Sequence, residues 1–150
     1  MSDALDIVRR NIEAYQRQDR EAADSLLDEH VRFTSPQDDH IDKARFLEVC
    51  FPTADRFVHQ VVQEFFEPSP GVVFVRYVTE LQTGEVFSNV ERILVRDGRI
   101  VDIKVYFGGP DAFADEPPGS DIPELEDDQT VAPRPEEAIA DVARQTPDLR

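Results

Sequence analysis

At 150 residues the chain has the size of one domain, long enough to bury a real core, and 40% of its residues are apolar. A formal net charge of −16 argues against binding DNA or RNA through phosphates. The lone cysteine, Cys50, excludes an internal disulfide and a thiolate zinc cluster. No long apolar run or basic-then-apolar start marks a membrane span or signal peptide, so the expected address is cytoplasmic, with no membrane partner.

The charge is uneven. Residues 108–150 hold 12 of the 32 acidic and 3 of the 16 basic side chains, together with seven of the eleven prolines. This divides the chain into a mildly acidic domain, residues 1–109, and an acidic, Pro-rich tail, residues 110–150, expected to be mostly disordered. One short helix is expected within that tail, from Pro135 to Arg144.

In chain order, Leu5, Val8, Ile12 and Tyr15 recur at helical spacing and predict a first helix over about 3–18. Asp19 caps a second, carrying Ala22, Ala23, Leu26 and Leu27. A short strand, Val31–Thr34, stops at Ser35-Pro36. A polar loop, residues 37–40, leads into a third helix with Ile41, Phe46, Leu47 and Cys50, ended by Pro52. Four β stretches follow: Phe57–Phe66, Val72–Leu81, Val86–Val95 and Ile100–Phe107. Helices first and a strand meander afterwards predict an α+β fold with an antiparallel sheet.

Two tight turns decide which side chains share a face. The Asp97-Gly98 turn admits a two-residue loop, which pairs Glu91 with Lys104 but sets Ile93 beside Asp102. It also admits a three-residue loop with Gly98 in a bulge, pairing Glu91 with Ile103, Asn89 with Val105, Phe87 with Phe107 and Arg92 with Asp102. A one-residue slip turns every side chain over, and only the bulged register separates apolar from charged residues, so it is adopted. The turn at Gln82-Thr83-Gly84 pairs Thr79 with Phe87, Tyr77 with Asn89 and Val75 with Glu91. One face then carries Val75, Tyr77, Thr79, Leu81, Phe87, Asn89, Glu91, Ile93, Val101, Ile103, Val105 and Phe107, while Arg76, Glu80, Arg92, Asp102 and Lys104 lie on the other. Glu91 is the one carboxylic acid on the apolar face.

These elements, with Asp28–Phe33 entering the first strand and Arg96–Val101 and Val105–Gly108 closing the last, resemble the nuclear transport factor two-like superfamily, in particular its SnoaL-like polyketide cyclase and ketosteroid isomerase branches. The resemblance covers residues 3–108. It implies a cone: a curved antiparallel sheet covered by three N-terminal helices, a cystatin-like α+β barrel, with a deep pocket and often a homodimer. Position by position, the isomerase base falls on Ser35, which is no carboxylate, and the ketone-polarising tyrosine falls on Asn11, with Tyr15 one turn later. The oxyanion-hole acid, held neutral by an apolar site so that it donates a hydrogen bond, falls on Glu91. Two of three roles are missing, which argues against steroid isomerisation.

Glu91 is the candidate catalytic residue, since desolvation on an apolar face raises a carboxyl pKa toward neutrality. Tyr15, Phe33, Ser35, Tyr77, Phe87, Asn89, Ile103, Val105 and Phe107 are the candidate binding residues. No metal site or cofactor is expected, for Asp38, Asp39 and His40 are adjacent rather than convergent and no glycine-rich nucleotide loop is present. Asp38 or Asp39 can still lean over the pocket mouth as a base. The alternation around His59 leaves its facing open, so a His59–Glu91 dyad stays an option. Cys50 and His30 read as structural. The function expected is binding or transforming a small hydrophobic carbonyl-type ligand without cofactor, in a cyclase-, isomerase- or hydrolase-like way. The alternative is a non-catalytic dimerisation or protein-interaction domain with an acidic tail. Val78, Val90 and Leu94 on the outer sheet face supply a motive for a homodimer.

Overall fold

The computed structural model describes residues 3–111. The tail helix expected at Pro135–Arg144 and nearly all of the 110–150 segment lie outside the described residues. Helix α1 spans Asp3–Arg17, with Asp3 and Asp6 in its first turn and Arg17 in its last, each opposite in sign to the helix dipole there. It buries Ala4, Ile7, Val8 and Ala14. Gln18 ends it in the left-handed region, φ 56°, and its amide donates to the carbonyls of Tyr15 and Phe51. The first satisfies a carbonyl in the last turn of α1 and the second ties that turn to the segment beneath it.

Helix α2, Arg20–Leu26, starts where Asp19 accepts a hydrogen bond from the Ala22 amide, as expected. Strand β1 begins at once, Leu27–Ser35, four residues earlier than the sequence suggests. The expected polar loop is a strand, β2, Asp38–Ile41, paired with β1 through Phe33–Ile41 and Ser35–Asp38. Ile41 therefore belongs to β2, and α3 is the shorter Lys43–Val49, capped by Asp42 on the Arg45 amide. A 3₁₀ helix, Phe51–Arg56, with Pro52 in its first turn, leads into β3, Phe57–Ser69. Strands β4, Val72–Leu81, β5, Val86–Arg96, and β6, Arg99–Pro110, complete the chain.

The six strands run β2-β1-β6-β5-β4-β3. The α+β fold with three helices over a curved sheet stands, and the meander β3–β6 is antiparallel. The sheet as a whole is mixed and open, because β1 lies parallel to β6 and the edges β2 and β3 do not pair. The parallel pair arises because the chain returns from β1 to β6 only after the whole meander. One core joins the helices to the inner sheet face, with Val8, Leu27, Val31, Val73, Val75, Ile93 and Ile100 sealed inside it.

The β4–β5 register is the expected one, with Val75 opposite Glu91, Tyr77 opposite Asn89 and Thr79 opposite Phe87. The β5–β6 register is corrected. Asp97 and Gly98 form a two-residue turn with φ of 51° and 77°, and Arg96 pairs with Arg99. The bulge lies further along: Val95 pairs with Ile100 and Leu94 with Asp102, so Val101 is the extra residue. Glu91 consequently faces Val105, Asn89 faces Phe107 and Arg92 faces Lys104 rather than Asp102. The shift from the expected pairing is two residues, an even number, so Glu91, Ile103 and Val105 keep their inner face. Ile100, not Val101, takes the core position.

The β3–β4 turn has one stringent position. Gly71 adopts φ 78°, and a Cβ there would sit 2.7 Å from the Val95 carbonyl oxygen, which belongs to the backbone. Gly71→Ala is expected to destabilise the domain by about 1–3 kcal/mol, measured by urea unfolding.

Candidate functional site

Between the helices and the inner sheet face lies a cavity of about 130 Å³. By the space one water needs, it accommodates on the order of ten waters or one small organic molecule. All ten candidate residues line it: Glu91, Asn89 and Phe87 from β5, Tyr77 from β4, Ile103, Val105 and Phe107 from β6, Phe33 and Ser35 from β1, and Tyr15 from α1. Asn11, one turn before Tyr15, lines it too.

Glu91 sits among apolar neighbours, between Val75 and Val105 on the ladder. It is half-buried and lines the cavity. Among the described residues its carboxyl has no hydrogen-bond or ion-pair partner. Desolvation raises its pKa from 4.5 to about 7, so a protonated, hydrogen-bond-donating form is populated near neutrality.

The tyrosines around it differ in what they can offer. The Thr53 hydroxyl donates to the Cys50 carbonyl at 2.7 Å, so the Tyr15 hydroxyl, 2.5 Å from Thr53 Oγ1, must be the donor in that contact. Tyr15 is thereby held by the 3₁₀ helix and by edge-on contacts with Phe51 and Phe57, and it offers the cavity only lone pairs. The Tyr77 hydroxyl accepts from Asn89 Nδ2 at 3.3 Å and keeps its own proton to donate. Burial, reinforced by the nearby Glu91 charge, pushes both phenols well above their usual range, so both stay protonated. Asn89 Oδ1 is buried and has no partner among the described residues.

A second polar group lies on the opposite wall. Pairing of β2 with β1 brings Asp38 beside Ser35, whose hydroxyl donates to Asp38 Oδ2 at 2.8 Å. Cys50 Sγ approaches the same oxygen at 3.7 Å. Asp38 and Cys50 both line the cavity, whereas Asp39 is exposed and pairs with His40. Cys50 is thus a cavity residue rather than a purely structural one.

His59 does not join the site. Its ring faces outward, 46% exposed and 3.4 Å from Glu80, so no His59–Glu91 dyad exists. Its facing is illegible in the sequence because register shifts interrupt β3 between Phe57 and His59, between Val62 and Glu64, and between Phe66 and Ser69. They leave Phe57, Gln60, Val62 and Phe65 opposite the inward residues Leu81, Thr79, Tyr77 and Val75, a spacing with no period of two. Phe57 and Gln60 therefore line the cavity unforeseen, as do Thr53, Phe46 and Phe51, which periodicity marks only as helix or turn residues. His30, at an exposed point of β1, is remote from the cavity lining. Among the described residues no cluster of three or more His, Cys, Asp or Glu is arranged to hold a metal ion, and no helix is long and apolar enough to cross a membrane.

No family model matches the sequence, and no curated protein matches it either. Solved structures do match. An NTF2-like protein of unknown function from Cytophaga hutchinsonii superimposes with a TM-score of 0.61 at 23% identity, covering 69% of this chain and 88% of its own. Another from Burkholderia xenovorans gives 0.62 at 18% identity, over 78% and 88%. AclR from Streptomyces galilaeus, a hydroxylase candidate, gives 0.60 at 16% identity, over 72% and 80%. The fold is that of the NTF2-like proteins, as the entry to the first strand and the closing strands imply. At these identities the likeness concerns the fold alone.

The buried acid makes a stability prediction. Between pH 4.5 and about 7 the folded chain holds a proton at Glu91 that the unfolded chain has released. The stability linked to this group is greatest at and below 4.5, declines as pH rises to about 7 and stays low above it, a span of roughly 3 kcal/mol. Glu91→Gln removes that loss. Thermal melts should show the variant gaining on the parent above about pH 7 and matching it near pH 4.5.

Proposed function

We propose that the cavity binds a small hydrophobic ligand bearing a carbonyl-type acceptor, and that Glu91 in its neutral form donates a hydrogen bond to that acceptor. The observation that carries this reading is the Glu91 carboxyl, without a partner among the described residues, in an apolar, aromatic chamber. A buried polar group ordinarily has a partner, and here the space for one is open. Tyr77 supplies a second donor, and the two together polarise a carbonyl as an oxyanion site does. Cyclisation, isomerisation or hydrolysis without a cofactor is the reaction class that this acid and the aromatic walls support. A cytoplasmic address is part of the same proposal and rests on composition.

Ionisation of Glu91 replaces its donor with a negative charge facing the ligand acceptor. Affinity for a neutral aryl ketone such as propiophenone should therefore fall roughly tenfold between about pH 6 and about pH 8.5, measured by calorimetry. Glu91→Gln keeps a donor and loses the titration, so its binding should not change with pH. A wild-type affinity independent of pH over this range would overturn the role given to Glu91.

A homodimer is the second part of the proposal, supported by apolar surface on the outer sheet face. Of the three residues expected there, Val90 and Leu94 are half-buried and Val78 is buried. Val78 is only 1% exposed, while Phe66 on β3 is 51% and Tyr106 on β6 49% exposed. Phe66 stacks on Phe74, giving a flat aromatic patch. Sedimentation at micromolar concentration should give twice the 17.1 kDa chain mass, and Phe66→Ser should return it to monomer. Monomer mass for the wild-type chain would remove this part.

A further inference from the structure

On the outer face of the sheet, strand pairing sets Phe66, Phe74, Arg92, Lys104 and Thr34 directly opposite one another, one each from β3, β4, β5, β6 and β1. Two places of that row are aromatic, Phe66 stacked on Phe74, and the next two are cations. At the tip of the same β5–β6 hairpin Arg96 pairs with Arg99, a second cation opposite a cation. Like charges directly across a ladder repel, so each pair costs stability unless an anion lies over it. Among the described residues none of Arg92, Arg96, Arg99 and Lys104 has an ion-pair partner. Asp102, the acid that β6 presents on this face, stands opposite Leu94 and Arg32, not opposite either pair. A chain of net charge −16 thus keeps a cationic stripe on one hairpin without an acid across the ladder from it.

We infer that residues 115–128 of the same chain dock on this stripe. They carry seven acids and no base, with Ile122 and Leu125 among them, which matches a surface of cations beside aromatic rings. A carboxylate lying over Arg92 and Lys104 meets both at once and turns a repulsive pair into two attractive contacts. The route is short. The last described residue, Asp111, is on this face: its carboxylate meets Arg76 at 3.3 Å and its amide donates to the Val86 carbonyl at 2.9 Å. Arg76 lies opposite Val90, two residues before Arg92, so about 7 Å of strand separates that point from the stripe. Residue 115 is four positions beyond Asp111, up to about 13 Å of extended chain, so the segment reaches both cations without rounding a sheet edge. A tethered segment acts at an effective concentration of roughly millimolar order, which populates contacts too weak to hold a separate molecule. A separate acidic partner must also approach against the net negative charge of the whole chain. The contact takes the cationic end of the face, adjoins the aromatic end assigned to the dimer, and requires neither the dimer nor a cavity ligand.

Amide NMR of the full chain tests this, with sodium chloride raised from about 20 mM to about 500 mM to screen the contact. The amides of Arg92 and Lys104 and the non-proline amides of residues 115–128 should move together. Arg92→Glu places an acid opposite Lys104 within the ladder, so in that variant the segment should sit at its high-salt shifts already at low salt. Glu124→Gln, Glu126→Gln, Asp127→Asn and Asp128→Asn, combined, should move the Arg92 and Lys104 amides; this variant leaves the sheet untouched should the first fold poorly. Because the contact is within one chain, the low-salt shifts should stay constant from about 20 to about 400 µM protein. Shifts that grow with concentration give the stripe to the segment of a second copy and overturn the assignment. If added poly-glutamate moves Arg92 and Lys104 while the segment amides ignore salt, the face takes a separate acidic partner and the inference falls. It falls equally if neither salt nor substitution moves residues 115–128.

Discussion

Side-chain alternation across the β4–β5–β6 ladder is the constraint on which the site depends. Hydrogen bonds to both neighbouring strands hold the β5 backbone, so Glu91 cannot rotate outward without breaking its pairs with Val75 and Val105. Its neighbour Ile93 and partner Val75 are sealed in the core, and their burial offsets the cost of bringing an acid inside. The raised pKa, the donor capacity near neutrality and the pH-dependent stability are consequences of that one backbone placement.

Curvature turns the placement into a chamber. Register shifts in β3 and at both ends of the β5–β6 ladder bend the sheet and keep its centre off the helices. Helix α1 then closes the space from above. The Gln18 amide, bonded to the carbonyls of Tyr15 and Phe51, and the Tyr15–Thr53 contact lock α1 to the 3₁₀ helix. The aromatic wall is thereby tied to the segment beneath it, and the contact with Thr53 uses up the Tyr15 proton. This division leaves the Tyr77 proton uncommitted and gives the two tyrosines, both on the inner side, different chemistry.

The two acids owe their contrast to their surroundings. Asp38 receives donors from Ser35 and Cys50, which come from three different elements with it: β1, β2 and the end of α3. Glu91 receives none among the described residues, and burial raises its pKa to about 7. The chamber is therefore asymmetric, with a hydrogen-bonded acid at one wall and, at the other, an acid that burial alone acts upon.

Local physics made much of this legible before any coordinates. Helical periodicity marked α1, the Asp19 cap located α2, and β4 spans the very residues its apolar run suggested, because each signal lies within one element. The inward turn of Glu91 was legible for a subtler reason: strands have a period of two, so pairing the β5–β6 hairpin two residues away from its real register still gave the right face. Had the error been one residue, the acid would have been placed in water. Only the tertiary structure decided what depends on distant pairing. It made residues 38–41 a strand, because β1 offers them a ladder that their own polar sequence does not announce. It set β1 parallel to β6 across the whole meander, turned His59 outward through shifts in β3, and carried Asp38 to the cavity wall opposite Glu91. The sequence by itself determined which stretches are helix or strand and which face of β5 is apolar; which acids share one chamber was settled by contacts between residues far apart in the chain, where no local period reaches.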